Sequence, residues 1–414
     1  MDKHPQNWFY WLNRNAPAAG IIVTVVIALG SAGWALHTWQ KSNASLDISG
    51  QVSIGGDVTQ VGGDLIITGD PLDQKTIGHL NSLLDRYRAD LDQRDIELAD
   101  KEALIAQLKA TLELAQKIAA GGDDKLASRA RALLADLGSG SLGAALLPNL
   151  RALIQDYEQG PIKDLVQLHM GEGALTYYGD PQAALAAYRR AHALDPENIV
   201  AINSIGLLEL LFGSLKAAED AFRQVLDLGR FQDDQGAMAV GYGNLGNVAF
   251  KQGDLDAAVD YHNQALALDK ELGSKEGMAT QYGNLGNVAE MRGDLDTAVE
   301  YYNQALALDK ELGSKEGMAT QYGNLGNVAF KQGDLDAAVE YYNQALALDK
   351  ELGRKEGMVL GYANLGLVAF KRGDLLEARQ FWVQARGLFA EMGAQPAVAQ
   401  FDQLLADLEP TAGP

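Results

Sequence analysis

The sequence predicts an all-α solenoid of paired, stacked helices. A single apolar span, a short glycine-rich β segment and a long helical stalk precede it. Three observations carry this prediction. Asn244, Asn284, Asn324 and Asn364 stand 40 residues apart, and Gly253, Gly293, Gly333 and Gly373 keep the same period. Within each period the apolar residues recur at helical spacing, and a Gly-Asp step separates two helix-length runs. Residues 17–39 form one long apolar stretch near the N-terminus.

Composition narrows the functional class. Apolar residues make up 47% of the 414 and aromatics only 7%, which suits packed helices better than a β-sandwich. There is no cysteine, so disulfides and thiolate metal sites are excluded. The net charge is −21, and a diffuse acidic surface repels phosphate, so nucleic acid is not expected as a partner.

Residues 1–16 form an N-terminal flank and residues 17–39 a transmembrane helix. No Asp, Glu, Lys or Arg falls between Asn15 and Gln40, and Ala18 to Leu36 is almost wholly apolar. Roughly 20 such residues cross a bilayer as a helix. Trp8, Phe9, Tyr10 and Trp11 lie before the run and Trp34 and Trp39 at its end, where aromatic side chains match the two interfaces. A signal peptide cut after Gly30-Ser31-Ala32 is the rival reading. Lys3 and Arg14 precede the span and Lys41 follows it. That balance points to a single-pass protein of the cell inner membrane, with a cytoplasmic N-terminus and a periplasmic bulk.

Residues 46–70 are a Gly/Asp-rich β segment. The short runs Val52/Ile54, Val58/Val61 and Leu65 to Ile67 alternate with Gly-Gly-Asp steps, as small strands joined by tight turns do. Asp57, Asp64 and Asp70 lack the nonapeptide frame of a calcium β-roll, so the steps read as turn chemistry. Residues 72–120 are a coiled-coil-like helix. Leu84, Leu91, Leu98, Ile105 and Leu112 recur every seven residues, while Tyr87, Arg94, Lys101, Leu108 and Ala115 form a poorer second seam. Gly121-Gly122-Asp123-Asp124 ends it, and residues 121–160 are a helical linker.

Residues 161–394 are the repeat array. Lys275 and Lys315 begin the same fifteen residues, Lys-Glu-Gly-Met-Ala-Thr-Gln-Tyr-Gly-Asn-Leu-Gly-Asn-Val-Ala, and the two units differ at few positions, such as Glu290 against Phe330. Identical copies within one chain follow from recent duplication. The spacing predicts a first helix around Met278 to Arg292 and a second over Leu295 to Leu312, with Gly293 as C-cap and Asp294 as N-cap. Neither helix can bury its apolar face alone, so neighbours stack. Two shorter units precede four long ones, and residues 395–414 supply a capping helix and tail.

The pattern Tyr242, Leu245, Gly246, Ala249, Ala258, His262 and Ala265 resembles the tetratricopeptide repeat family. The 40-residue period resembles the longer subclass found in kinesin light chains and Pins-type scaffolds, set in a membrane-tethered bacterial protein. The resemblance implies a superhelix whose first helices line a concave groove for protein or peptide ligands.

No catalytic constellation stands beside this. His4, His37, His79, His169, His192 and His262 show no ligand spacing, and no phosphate loop or nucleophile elbow is present, so no enzyme, cofactor or metal is expected. The candidate site is the recurring Gly-Asn-Leu-Gly-Asn. It sets Asn244 and Asn247, Asn284 and Asn287, Asn324 and Asn327, and then Asn364 on successive first helices. Carboxamides both donate and accept, so such a ladder can bind an extended peptide backbone. Phe250, Phe330 and Phe370 offer apolar pockets one turn on, and Lys251, Lys331 and Lys371 attract an acidic ligand. The alternative is that the asparagines bridge adjacent repeats. Tyr301/Tyr302 and Tyr341/Tyr342 read as core, and Lys275-Glu276 as solvated loop charge. The function expected is a membrane-anchored scaffold binding protein or peptide. Self-assembly into a homo-oligomer and a sensor role in bacterial signalling or defence are the alternatives.

Overall fold

The structure is a computed structural model. It describes residues 58–61, 64–67, 98–120, 124–136, 146–157 and 160–407. The expected flank 1–16 and transmembrane helix 17–39 lie outside the described residues, as does most of the stalk. Among the described residues no helix is long and apolar enough to cross a membrane. The chain forms two compact units divided between Gln252 and Gly253.

In the first unit, β1 (Val58–Val61) and β2 (Asp64–Ile67) pair antiparallel, with Val58 opposite Ile67 and Val61 opposite Asp64. The sequence expectation is corrected here. Among the described residues there is no β-rich patch of several strands: the strand content is this pair of four-residue strands, too short to be a module of its own. The fold is an all-α solenoid.

Eight helices of this unit follow: α1 (Leu98–Ala119), α2 (Asp124–Asp136), α3 (Leu146–Asp156), α4 (Ile162–Thr176), α5 (Pro181–Leu194), α6 (Ile199–Leu211), α7 (Leu215–Gln232) and α8 (Gln235–Gln252). Pro181 opens α5 at a position that needs no intrahelical donor, and the Asp180 carboxylate accepts from Ala183 N at 3.1 Å. The stalk is the second correction. The seam residues Ile105 and Leu112 are buried against the chain's own helices, together with Leu108 and Ala115. From Leu104 onward this helix is part of a folded core, so that stretch of the seam is not free to pair with a second copy.

The second unit holds α9 (Leu255–Leu272), α10 (Lys275–Arg292), α11 (Leu295–Leu312), α12 (Lys315–Gln332), α13 (Leu335–Leu352), α14 (Lys355–Arg372), α15 (Leu375–Glu391) and the final α16 (Gln395–Asp407). Each long helix is punctuated as the Gly-Asp steps require. Gly293 adopts φ 80°, and Asp294 N returns to Ala289 O at 2.9 Å, closing α10. Asp294 then starts α11 by accepting from Thr297 N at 3.2 Å. The same chemistry recurs at Asp254, Asp334 and Asp374. The first helix of the repeat is longer than expected. Ser274 caps it through Gly277 N at 3.1 Å, so Lys275-Glu276 begin α10 instead of lying in a loop.

Within a repeat one glycine lets the two helices close. A Cβ on Gly286, Gly326 or Gly366 would strike the ring of Tyr302, Tyr342 or Trp382 on the paired helix. Gly173 meets Tyr188 and Gly206 meets Phe222 in the shorter units in the same way. These rings are almost fully buried, and burial of a side chain that size stabilises by roughly 2–3 kcal/mol. Between repeats, Ala298, Tyr302 and Leu306 pack on Leu325 and Val328, and Ala338, Tyr342 and Leu346 on Leu365 and Val368.

Candidate partner-binding face

The expected ligand face lies on the first helices of successive repeats, which approach one another directly: α6 meets α8, and α12 meets α14. Asn244 Nδ2 donates to Asn203 Oδ1 at 2.8 Å, and Asn364 Nδ2 to Asn327 Oδ1 at 3.5 Å. Those asparagines tie neighbouring first helices together. The second asparagine of two motifs has another partner. Tyr302 Oη donates to Asn287 Oδ1 at 2.8 Å, and Tyr342 Oη to Asn327 Oδ1 at 2.9 Å. Asn247 is half-buried on α8. Asn284 and Asn324 are half-buried and, within their own unit, make no side-chain hydrogen bond among the described residues. The ladder is therefore mixed: some carboxamides hold the stack, and Asn247, Asn284 and Asn324 keep their capacity.

The accompanying residues are brought to the same ends of the helices. Phe250, Phe330 and Phe370 are half-buried. Phe330 packs into the core between repeats, and the Phe370 ring lies 5.9 Å from that of Trp382. They are edges of the core more than open pockets. Lys331 pairs with Glu290 at 2.6 Å, and Glu290 Oε2 also lies 2.8 Å from Tyr302 Oη, where it competes with Asn287 for the hydroxyl proton. Lys371 Nζ donates to Phe330 O at 3.3 Å and stands 4.4 Å from the centre of its ring. Lys251 is exposed at the end of α8. The lysines of the later repeats thus face partners inside the chain.

Three features escape sequence reading. First, Asp269, Asp309 and Asp349 are buried where each second helix meets the next first helix, against Gly277, Gly317 and Gly357. Burial pushes the Asp269 and Asp309 carboxyls up to about 6, against hydrogen bonds from Gln281 and Gln321. Burial and then the nearby Glu316 push Asp349 to about 7, although Arg354 Nη1 lies 3.5 Å away. Second, His262 Nδ1 lies 3.0 Å from Gln281 Oε1, and burial holds its pKa below the usual value. Third, the exposed pairs Lys275–Glu311 at 2.9 Å and Lys355–Glu391 at 3.1 Å join the two helices of one repeat. The visible signal for the first was the thrice-repeated Leu-Asp-Lys-Glu-Leu-Gly, whose aspartate reads from sequence as one more surface charge.

Paired helices closed by a glycine and stacked through small residues define a helical-repeat scaffold. Residues 232–404 match the family model described as a MalT-like TPR region, and residues 175–233 a tetratricopeptide repeat model. The chain carries a tetratricopeptide-repeat domain, a protein–protein interaction module. Domains of this kind are non-catalytic, and among the described residues no cluster could hold a metal ion. A comparison with curated proteins finds no match. Among solved structures, a tetratricopeptide repeat protein from Parabacteroides merdae aligns at 14% identity over 67% of this chain and 99% of its own, with a TM-score of 0.49. A Rap protein complexed with competence and sporulation factor aligns at 13% identity, 81% and 98% coverage and a TM-score of 0.48. A putative kinesin light chain from Podospora anserina with nearly identical TPR-like repeats gives 17%, 48%, 98% and 0.41. At these scores the superpositions add nothing to the local packing described above.

Proposed function

We propose that the protein is a scaffold that captures a protein or peptide partner on the first-helix face that carries Asn284, Asn324 and Asn364. The observation that carries this reading is the uneven use of the ladder. Asn244 and Asn364 hold neighbouring helices, whereas Asn284 and Asn324 offer donors and acceptors that the fold of their unit does not consume. A hydrogen bond from such a group to a ligand contributes about 1 kcal/mol, so the two asparagines together raise affinity by roughly thirtyfold. The test is affinity capture with the full chain, followed by the double substitution Asn284→Ala and Asn324→Ala. Loss of the captured partner with unchanged thermal unfolding supports the reading; full retention overturns it.

Tethering to a membrane through residues 17–39 is the second part of the proposal, supported by the apolar run and its aromatic edges. Carbonate extraction of the native membrane fraction checks the anchor, and protease accessibility of the repeats in intact cells checks the side.

A further inference from the structure

The helix α1 lies on the first repeat at the positions that carry the ladder further along. Aligned through Gly173, Gly206, Gly246 and Gly286, residues 167 and 171 of α4 correspond to 200 and 204 of α6, to 240 and 244 of α8, and to 280 and 284 of α10. On α4 these places are filled by α1. Thr111 Oγ1 donates to Gln167 O at 2.9 Å, and Gln167 Nε2 to Gln107 O at 3.3 Å. Gly171 admits Thr111 so closely that any Cβ would overlap it. Ala174, at the place of Asn287, is 1% exposed, and Tyr188 Oη on α5 donates to Gln107 Oε1 at 2.8 Å. This face therefore accepts a helix laid upon it, with apolar Leu108 and Leu112 inward and short polar groups between.

The next two repeats keep the apolar part of that surface, and no described helix is laid over it. Val200 on α6 is 48% exposed and Val240 on α8 is 45% exposed, while Leu207 and Leu211 are half-buried. Val200, Ser204, Leu207 and Leu211 run along one side of α6 at helical spacing, and the Asn203–Asn244 bond holds α8 beside it. The corresponding positions turn polar in later repeats, at Thr280 and Thr320. An extended chain laid on valine and leucine would leave its backbone N–H and C=O groups without partners. A helix satisfies its own backbone and needs only an apolar stripe.

We propose that α6 and α8 form a second helix seat, continuing the one that α1 fills, and that its occupant is an amphipathic helix of a partner protein with a stripe like that of α1. The proposal rests on the reading of the first-helix face as the binding face, and it names a helical partner where the ladder alone suggests an extended one.

The probe is a fluorescent peptide with the sequence of residues 98–119, titrated against the full chain by anisotropy, with a scrambled peptide as comparator. Saturable binding of the probe alone is expected. The double variant Val200→Thr and Val240→Thr, close in shape and at exposed positions, should weaken it at least tenfold. A photo-crosslinker at the Thr111 position of the probe should label α6 or α8. Absence of saturable binding, equal binding to the valine variant, or labelling of α4 through exchange with α1 would each overturn the proposal. A partner captured through the asparagines and indifferent to the valines would remove the helix seat while leaving the scaffold reading intact.

Discussion

The carboxylate of Asp309 occupies the space beside Gly317 that any other residue would fill with a Cβ. Asp269 with Gly277 and Asp349 with Gly357 repeat the arrangement, so one contact recurs at three successive joints. Alanine in a helix interior is favoured over glycine by about 1 kcal/mol. At this joint the added methyl must displace a buried group, and overpacking costs about 1–3 kcal/mol. Gly317→Ala is expected to lower stability by about 1 kcal/mol in urea unfolding, and Gly317→Ala in an Asp309→Ala background to raise it. A single Gly317→Ala that stabilises the protein would show that Asp309 moves aside freely.

The same aspartates make stability depend on pH. Asp309 is 5% exposed, its Oδ2 has no hydrogen-bond partner, and its carboxyl titrates near 6 in the fold against 3.8 as the reference value. The folded protein therefore binds protons more tightly than the unfolded chain. The stabilising effect is complete below pH 3.8 and lost as pH rises to about 6, or to about 7 at Asp349. Asp309→Asn, neutral throughout, is expected to raise the melting temperature at pH 8 and to change it little at pH 4. The gain is on the order of 1–3 kcal/mol. An equal effect at both pH values would place the Asp309 carboxylate in contact with water.

Tyr342 anchors its repeat through two separable contributions. Its ring lies against Gly326, and its hydroxyl donates to Asn327 Oδ1 at 2.9 Å. Tyr342→Phe keeps the ring and should lose about 0.5–1.5 kcal/mol. Tyr342→Ala leaves a cavity and should lose about 3–5 kcal/mol. Chemical denaturation of the two variants separates the terms, and similar losses would mean that the ring contributes little.

Lys331 and Glu290 form a well-made pair at 2.6 Å, yet the lysine side chain is half in water. Exposed pairs are worth under about 1 kcal/mol and weaken with salt. Lys331→Ala should therefore shift the unfolding midpoint only slightly, with the difference vanishing in about 1 M salt. A larger, salt-independent loss would assign Lys331 a packing role through its methylene stem.

The repeat architecture was legible because it is written locally. Gly293 and Asp294 mark a helix end and a helix start by backbone chemistry, and Leu285 and Gly286 mark the buried side by spacing. Contacts between helices distant in sequence carry no such mark. Ile105 and Leu112 show a heptad that suits a coiled coil, and nothing in their spacing reveals that α2 and α4 will pack on that helix. The ladder was legible as a row of residues on one face, but which carboxamide bonds to which depends on differences of an ångström between neighbouring helices. Asn364 reaches Asn327, while Asn324 makes no such bond within its unit. Asp309 was missed because burial of a carboxylate is a property of the joint and leaves no trace in the repeat's own polarity.

The joints also bear on how the array changes length over generations. Asp269 meets Gly277, and Asp309 meets Gly317, with the same residues on both sides. Excision of residues 275–314 would bring Asp269 to Gly317 and His262 to Gln321, a junction of unchanged chemistry. Slippage between the duplicated stretches of coding sequence thus deletes or inserts a whole unit in register, and each product inherits a joint that already fits. Selection can lengthen or shorten the scaffold in steps of 40 residues without first repairing its interior.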